Sequence, residues 1–121
     1  MISTGPATRI FLALGATDMR KGYNGLYGLI VNQLGEDPLS GHLFLFSNRD
    51  RTRLKALYWD GTGLWICGKK LEKGRYSWPT TGDAAGKVRL SGAELAMLLG
   101  GFDPGWKKEK DDQIMGLLRV D

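Results

Sequence analysis

Three apolar segments separated by two short turns constrain the fold of this chain more than any other feature. The segments span 42–46, 53–59 and 64–69 and are rich in Leu, Phe, Tyr, Trp and Ile, most of which favour β-strands. The turns at 47–51 and 60–63 contain Ser, Asn, Asp and Gly, residues that readily form turns. Strands joined by connections this short pair in antiparallel fashion. The sequence therefore predicts an antiparallel meander of three strands.

Further strands and two helices are predicted on either side of the meander. Short apolar or alternating segments indicate strands at 9–14, 75–78 and 87–90. Leu and Ile at helical spacing predict a helix over 19–34, with Thr17 or Asp18 as its N-cap. A second, shorter helix is predicted from Ser91, because Glu94 stands three residues later and completes a capping box.

These elements predict an α+β fold: an antiparallel or mixed sheet of about five strands, one main helix packed on a face, and a short C-terminal helix. The 121 residues are enough for one hydrophobic core. We assign 1–103 to a single α+β domain and 104–121 to a polar C-terminal tail. Within that tail, residues 114–118 favour one or two further helical turns.

Composition excludes several classes of protein. No apolar run approaches the roughly 20 residues that span a bilayer, and the first residues do not resemble a signal peptide. One cysteine, Cys67, and one histidine, His42, cannot form a zinc finger or a two-histidine metal centre. We therefore expect a cytoplasmic protein with no cofactor, no metal, no membrane partner and no small-molecule substrate.

Positive charge is concentrated in the middle of the chain. The segment 49–75 contains eight basic and three acidic residues, a pattern that favours a polyanionic partner, nucleic acid first. Arg53 and Lys55 share one face of a strand because they are two residues apart. Lys87 and Arg89 share a face in the same way and extend the positive surface if the two strands are neighbours.

A second anion-binding candidate lies at the predicted start of the first helix, where Arg20 and Lys21 stand close to free backbone amides. Together with the central segment, this gives nine candidate nucleic-acid-binding residues: Arg20, Lys21, Arg49, Arg51, Arg53, Lys55, Lys69, Lys70 and Lys73. Five aromatics interleave with these charges: Tyr58, Trp59, Trp65, Tyr76 and Trp78. Most of them are expected in the core, with Trp65 and Trp78 the best candidates for exposed positions.

No catalytic constellation is evident. Cys67 lies in an apolar strand, where a buried cysteine is usually an inert small hydrophobe, and His42 is interpreted as structural. The carboxylates that a metal-dependent nuclease would need are scattered over separate turns: Asp18, Asp50, Asp60 and Asp83. Asp18 and Asp60 are instead expected to cap a helix and shape a turn. We predict that the protein is not an enzyme.

Five motifs in a fixed order resemble a known family. They span 17–22 (TDMRKG), 41–46 (GHLFLF), 58–64 (YWDGTGL), 70–79 (KLEKGRYSWP) and 95–103 (LAMLLGGFD). Over about residues 8–103, the chain strongly resembles the TnpB-type accessory proteins of the insertion-sequence-sixty-six family of bacterial transposable elements. The resemblance implies a small protein, encoded beside a larger transposase, that assists transposition and contributes no catalytic residues. The tail from Pro104 departs from the family's common pattern.

Three hypotheses follow for the mechanism. In the first, the basic residues contact transposon DNA through its phosphates, with mostly non-specific and salt-sensitive binding. In the second, the protein is an adaptor that binds the cognate transposase and does not touch DNA. In the third, carboxylates converge on a metal and the protein is a nuclease, which Asp60→Ala would inactivate. The first hypothesis is preferred, and the second is its alternative.

Overall fold

A computed structural model describes residues 8–106, which form a five-stranded sheet with helices on both faces. The elements in chain order are β1 (Ile10–Ala16), α1 (Tyr23–Leu29) continued by a π-helical turn (Ile30–Leu34), β2 (Leu43–Ser47), β3 (Arg53–Trp59), β4 (Leu64–Lys70), β5 (Lys87–Leu90) and α2 (Gly92–Leu99). The predicted α+β fold is confirmed.

The sheet has the strand order β4-β3-β2-β1-β5. Strands β2, β3 and β4 form the predicted antiparallel meander. Strand β1 pairs with β2 in parallel, so the chain crosses over through α1 between them. Strand β5 is antiparallel to β1 and forms the edge opposite to β4. The sheet is therefore mixed, and the carboxyl ends of β1 and β2 lie at the same end of it.

Each face of the sheet has its own apolar cluster, because successive side chains of a strand point to opposite faces. On the α1 face, Phe44, Phe46 and Leu57 pack with residues of the helix such as Leu26 and Ile30. On the opposite face, which we call the α2 face, the cluster contains Leu12, Leu45, Leu54, Tyr76, Trp78 and Leu98. This two-sided burial explains why β2 is apolar at nearly every position.

The predicted strand at 75–78 is wrong. This segment has no strand partner and instead lies against the α2 face, where Tyr76 and Trp78 are buried. The backbone N–H of Tyr76 donates to the carbonyl of Arg51 at 2.6 Å. The indole Nε1 of Trp78 donates to the carbonyl of Ala13 at 2.9 Å. The aromatic side chains are thus buried against the α2 face, and the segment does not add a strand to the sheet.

The first helix begins later than predicted. Its N-cap is Gly22, and neither Thr17 nor Asp18 caps it. Asp18 instead closes a turn of its own, since its carbonyl accepts from the N–H of Lys21 and its carboxylate accepts from the N–H of Arg20. The residues before Gly22 therefore form a loop, and the final five residues of the helical segment are π-helical.

The second helix begins as predicted. The Ser91 hydroxyl accepts from the N–H of Glu94, and the Glu94 carboxylate accepts from the N–H of Ser91, which completes the capping box. The predicted turns at 114–118 lie outside the described residues. No helix within residues 8–106 is long and apolar enough to cross a membrane.

Candidate nucleic-acid interface

Two loops meet at the carboxyl ends of β1 and β2. The N–H of Thr17 donates to the carbonyl of Ser47 at 2.8 Å, which joins the loop after β1 to the end of β2. The turn after β2 is held by Asn48, whose side-chain oxygen accepts from the N–H groups of Thr52 and Arg53 at 2.9 and 3.0 Å. The crevice outside the carboxyl ends of parallel strands is where α/β folds commonly bind ligands.

A groove runs from this crevice across the end of β3 and β4. A cavity of about 440 Å³ is lined by Ala16, Thr17, Asp18, Met19, Asn48, Arg49 and Arg53. A neighbouring cavity of about 310 Å³ is lined by Met19, Arg53, Leu54, Lys55, Gly68, Lys69 and Lys70. Both cavities include Met19 and Arg53 in their walls. We call the two together the basic groove.

The strand register decides which cations share a side of the sheet. Arg53 lies directly opposite Lys70, and Lys55 lies opposite Gly68. On β3, Arg53 and Lys55 are two and four residues from Leu57, and they therefore lie with it on the α1 face. Lys70 is paired with Arg53 and lies on the same face. Lys69 lies opposite Leu54 on the α2 face, and its Nζ donates to the carbonyl of Leu99 at 2.7 Å. The basic residues of the meander are thus divided between the two faces.

The loop after β1 supplies two further cations near the groove. Lys55 Nζ donates to the carbonyl of Lys21 at 3.0 Å, which ties this loop to β3. The guanidinium of Arg20 donates to both carboxylate oxygens of Asp18, the shortest contact being 2.7 Å. This hydrogen-bonded ion pair lowers the pKa of Asp18 to about 2. Asp18 therefore stays charged at neutral pH, and Arg20 balances its charge.

Arg51 has a role inside the protein. Its guanidinium donates to the carbonyls of Leu14 at 2.9 Å and Asn48 at 3.3 Å. It also lies 5.1 Å from the ring centroid of Trp78, in cation–π contact. Partial burial lowers the pKa of Arg51. Its positive φ of 59° marks it as the tight point of the turn. The sequence did not indicate this engagement, and we leave Arg51 out of the basic groove.

The register of β1 explains why Arg51 and Trp78 are needed. The pairing of β1 with β2 is regular up to Leu12 and shifts before Ala16. The carbonyls of Ala13 and Leu14 fall in this irregular stretch and accept from Trp78 and Arg51, respectively. Buried carbonyls need such partners when a strand ladder is interrupted. Trp78 and Arg51 are therefore structural.

The other predicted cations lie apart from the groove or at its rim. Arg49 and Lys73 are exposed, Arg49 in the groove lining and Lys73 in the loop after β4. The expectation that Lys87 and Arg89 extend the positive surface is wrong, because β5 is at the opposite edge of the sheet. Lys87 Nζ instead contacts Glu36 at 2.7 Å and the carbonyl of Leu34 at 3.1 Å.

Of the five aromatics that interleave with the basic residues, Trp65 is the exposed one, with 47% of its surface accessible. The expectation of an exposed position is wrong for Trp78, which is buried. The indole N–H of Trp65 donates to Asp60 at 2.7 Å. The other oxygen of this carboxylate accepts from the backbone of Thr62 and Gly63, which confirms that Asp60 shapes a turn. The Trp65 and Thr62 hydrogen bonds hold the pKa of Asp60 well below its usual range. Asp60 therefore orders the β3–β4 turn.

The carboxylates, the histidine and the cysteine of the described segment lie apart from one another. Among residues 8–106 there is no cluster of three or more His, Cys, Asp or Glu side chains that could hold a metal. His42 Nδ1 accepts from the N–H of Arg9 at 3.0 Å, which is a structural contact. Cys67 is exposed and not buried as the apolar strand suggested, because β4 is an edge strand.

Three groove residues were not among the predicted binding residues, although two of them belong to the 17–22 segment that was proposed as an anion site. Thr17 and Met19 line it from the loop after β1, and Asn48 lines it from the turn after β2. Asn48 had a recognisable signal, since a side chain that bonds the backbone amides following it is typical of Asn in turns. Met19 belongs to the TDMRKG motif, but its place in the groove wall could not be predicted, because it depends on the crossover that brings the two loops together.

The fold and groove define a small α+β protein with a groove lined by basic residues at the carboxyl ends of two parallel strands. The chain belongs to the family of IS66 Orf2-like proteins, whose family model matches residues 8–110. It is thus a protein associated with the transposition of insertion sequences, in an accessory role. This confirms the resemblance found in the sequence motifs.

Two relatives from Sinorhizobium fredii match nearly the whole chain. The uncharacterized protein y4hO is 35% identical over 111 residues, covering 92% of this chain and 93% of the relative. The uncharacterized protein y4jC is 36% identical over 110 residues, covering 91% of each. No solved structure matches this chain.

Proposed function

We propose that the protein is a non-catalytic accessory factor that contacts transposon DNA through the basic groove. Five cationic residues border this groove. One of them, Lys69, points to the α2 face, where its Nζ donates to the carbonyl of Leu99. The other four are available on the groove side: Arg49, Arg53, Lys55 and Lys70. The carboxylate in the groove lining, Asp18, is already paired with Arg20. The convergence of these cations on one groove is the observation that supports the proposal, because a phosphate backbone requires several cations along a shared path.

The proposed binding follows from phosphate neutralisation. A side chain that neutralises one phosphate of duplex DNA contributes about −0.9 to the slope of log affinity against log salt concentration. Four groove cations therefore give a slope of about −3.6. Phosphate contacts position a protein without reading bases. We expect similar affinity for a transposon end and for a scrambled duplex of the same length.

The test is a fluorescence anisotropy titration of labelled DNA at three salt concentrations. A transposon end, a scrambled duplex and a single strand are compared. Lys70→Ala is expected to reduce the magnitude of the duplex slope by about 0.9. Lys69→Ala is the matched control, since it removes the same charge from the neighbouring residue on the opposite face. It is expected to leave the slope unchanged.

Two results would count against DNA contact through the groove. One is a slope near zero for the folded wild-type protein. The other is an equal effect of Lys70→Ala and Lys69→Ala, because net charge alone would then account for binding. Circular dichroism of each variant establishes that the fold is intact before its slope is interpreted.

A specific observation also favours the alternative, an adaptor for the transposase. Tyr23, Tyr27 and Val31 form an exposed stripe along the outer side of α1 and its π-helical turn. The segment from Gly22 to Gly35 contains no charged residue. Uncharged surfaces with exposed tyrosines are typical of protein interfaces. A transposase complex that survives high salt and is lost in Tyr27→Glu would support the adaptor.

A further inference from the structure

The outer edge of β4 faces away from the other strands of the described sheet. Within residues 8–106, β4 pairs with β3 alone, and it is the last strand of the sheet. The N–H of Leu71 donates to the carbonyl of Thr52, and the N–H of Asp60 donates to the carbonyl of Gly63. Hydrogen-bonded pairs alternate along an antiparallel ladder. The odd-numbered residues of β4 therefore bond to β3, and the even-numbered ones face outward: Leu64, Ile66, Gly68 and Lys70.

This edge is long and accessible. Strand β4 has seven residues, of which Trp65 and all those from Cys67 onward are exposed. Its first half is apolar and its second half carries Lys69 and Lys70. An exposed edge of this length is a template for another strand unless it is protected. A strand that pairs with this edge must place an uncharged segment opposite its two lysines, because like charges directly opposite each other are destabilising.

We propose that β4 pairs with β4 of a second copy, antiparallel and about a two-fold axis. Outward-facing residues must bond to outward-facing residues, so even-numbered positions of one copy lie opposite even-numbered positions of the other. The register that overlaps all seven residues puts Leu64 opposite Lys70 and Ile66 opposite Gly68. It puts Cys67 opposite Cys67 of the second copy, at the axis. An interface of this kind is isologous.

Charge complementarity favours a second copy in this register. Each Lys69 lies opposite the exposed Trp65 of the other chain. Its ammonium group donates to the carbonyl of Leu99 in its own chain, and it has two further N–H donors with which to approach that indole. The carboxylate of Asp60 is bonded to that same indole N–H, so a negative charge stands near the arriving lysine. No lysine lies opposite a lysine. Registers centred on Lys69 or Lys70 would bring like charges together and are disfavoured.

Pairing of the two β4 strands also fixes how the two basic grooves are arranged. A two-fold axis perpendicular to the sheet continues the α1 face of one copy into the α1 face of the other. The two basic grooves therefore lie on the same side of one ten-stranded sheet, with both Lys70 side chains near the junction. Self-association does not depend on the proposed DNA contact, and its test needs no DNA.

The first experiment measures the mass of the full chain by light scattering over a range of concentrations, with reductant present. We expect the mass to rise towards twice the 13.4 kDa of one chain. Gly68→Pro is expected to abolish this rise, because it removes an outward N–H and leaves the ladder to β3 intact. Gly68→Ala is the matched control, since an added Cβ would meet the carbonyl of Leu54 at an ordinary 3.8 Å.

The second experiment tests the register by disulfide formation under a mild oxidant. Opposed residues of a non-hydrogen-bonded pair have Cα atoms about 4.5 Å apart, which is within the range that a disulfide spans. Wild-type chains should link through Cys67. In a Cys67→Ala background, Trp65→Cys and Lys69→Cys chains should link when mixed and should not self-link.

Each outcome decides the proposal. A mass of one chain at all concentrations would overturn it and leave the lysines as protection of an unpaired edge. Dimers that persist in Gly68→Pro would overturn it as well, because the interface would then lie elsewhere, for example on the stripe of α1. Self-linking of Trp65→Cys chains at the same rate as the mixture would overturn the register.

Discussion

Replacing Arg51 separates its structural role from a role in binding DNA. The structure gives Arg51 two hydrogen bonds to carbonyls and a cation–π contact with Trp78. Arg51→Ala removes all three and leaves the carbonyl of Leu14 without this partner. We therefore expect the variant to lose stability, while the salt dependence of any DNA binding changes little.

The size of the loss follows from these contacts. The 2.9 Å bond to Leu14 is the stronger of the two, and partial solvent exposure keeps it near the low end for a charged donor, about 1.5 kcal/mol. The 3.3 Å bond and the cation–π contact together add about 1 kcal/mol. The expected decrease in unfolding free energy is about 2–3 kcal/mol, a decrease in Tm of roughly 6–15 °C for a domain of this size.

The backbone of Arg51 supplies an internal control. Its φ of 59° strains any side chain with a Cβ, by about 1 kcal/mol. Alanine retains that strain, whereas glycine relieves it. Arg51→Gly loses the same side-chain contacts but should be about 1 kcal/mol more stable than Arg51→Ala. If the backbone at this position were not strained, Arg51→Ala and Arg51→Gly would lose the same contacts and would not show this difference.

Urea denaturation followed by tryptophan fluorescence is the assay, since the guanidinium lies against Trp78. Arg49→Ala is the comparison: it removes the same charge from an exposed position in the same turn. It should change stability by less than about 0.5 kcal/mol and reduce the magnitude of the salt slope by about 0.9. If Arg51→Ala kept wild-type stability and reduced the slope instead, the structural reasoning would be refuted.

Two further predictions concern single side chains. Trp78→Phe should lower the unfolding free energy by about 1–3 kcal/mol in urea denaturation, because the carbonyl of Ala13 loses its buried donor; a change below about 0.5 kcal/mol would contradict this. Asp18 has its pKa lowered from 3.8 to about 2 by Arg20, so its stabilising contribution is present above pH 4 and is lost as the pH falls to about 2. The urea midpoint of the wild type should therefore fall more than that of Asp18→Asn over this interval, and parallel curves would contradict the ion pair.

Sequence patterns predicted the elements whose stabilising contacts join residues that are close in sequence. The meander follows from apolar segments and turn residues adjacent in sequence, and the start of α2 follows from a capping box contained within four residues. The 75–78 segment failed because its residues have the composition of a strand, while their partners lie far away in the chain. Trp78 bonds to Ala13, which is 65 positions away, and no local pattern encodes that contact.

The candidate site was predictable in composition and only partly in arrangement. The sequence indicated Arg53 and Lys55 on one face, and the register confirms that they share it. Lys69 and Lys70 were grouped as one patch, although neighbouring residues of a strand must point to opposite faces. The internal contacts of Arg51 were not predictable for a different reason. Its side chain satisfies a carbonyl exposed by the irregular register of β1, which depends on tertiary structure.

The crossover through α1 is what turns two separate motifs into one site. The TDMRKG segment at 17–22 follows β1, and the turn with Arg49 follows β2. Because these strands are parallel neighbours, both segments emerge at the same end of the sheet. An antiparallel pairing of β1 with β2 would place them at opposite ends and divide the groove. The two motifs therefore form one groove only because Ile10–Leu12 of β1 pairs in parallel with Leu43–Leu45 of β2.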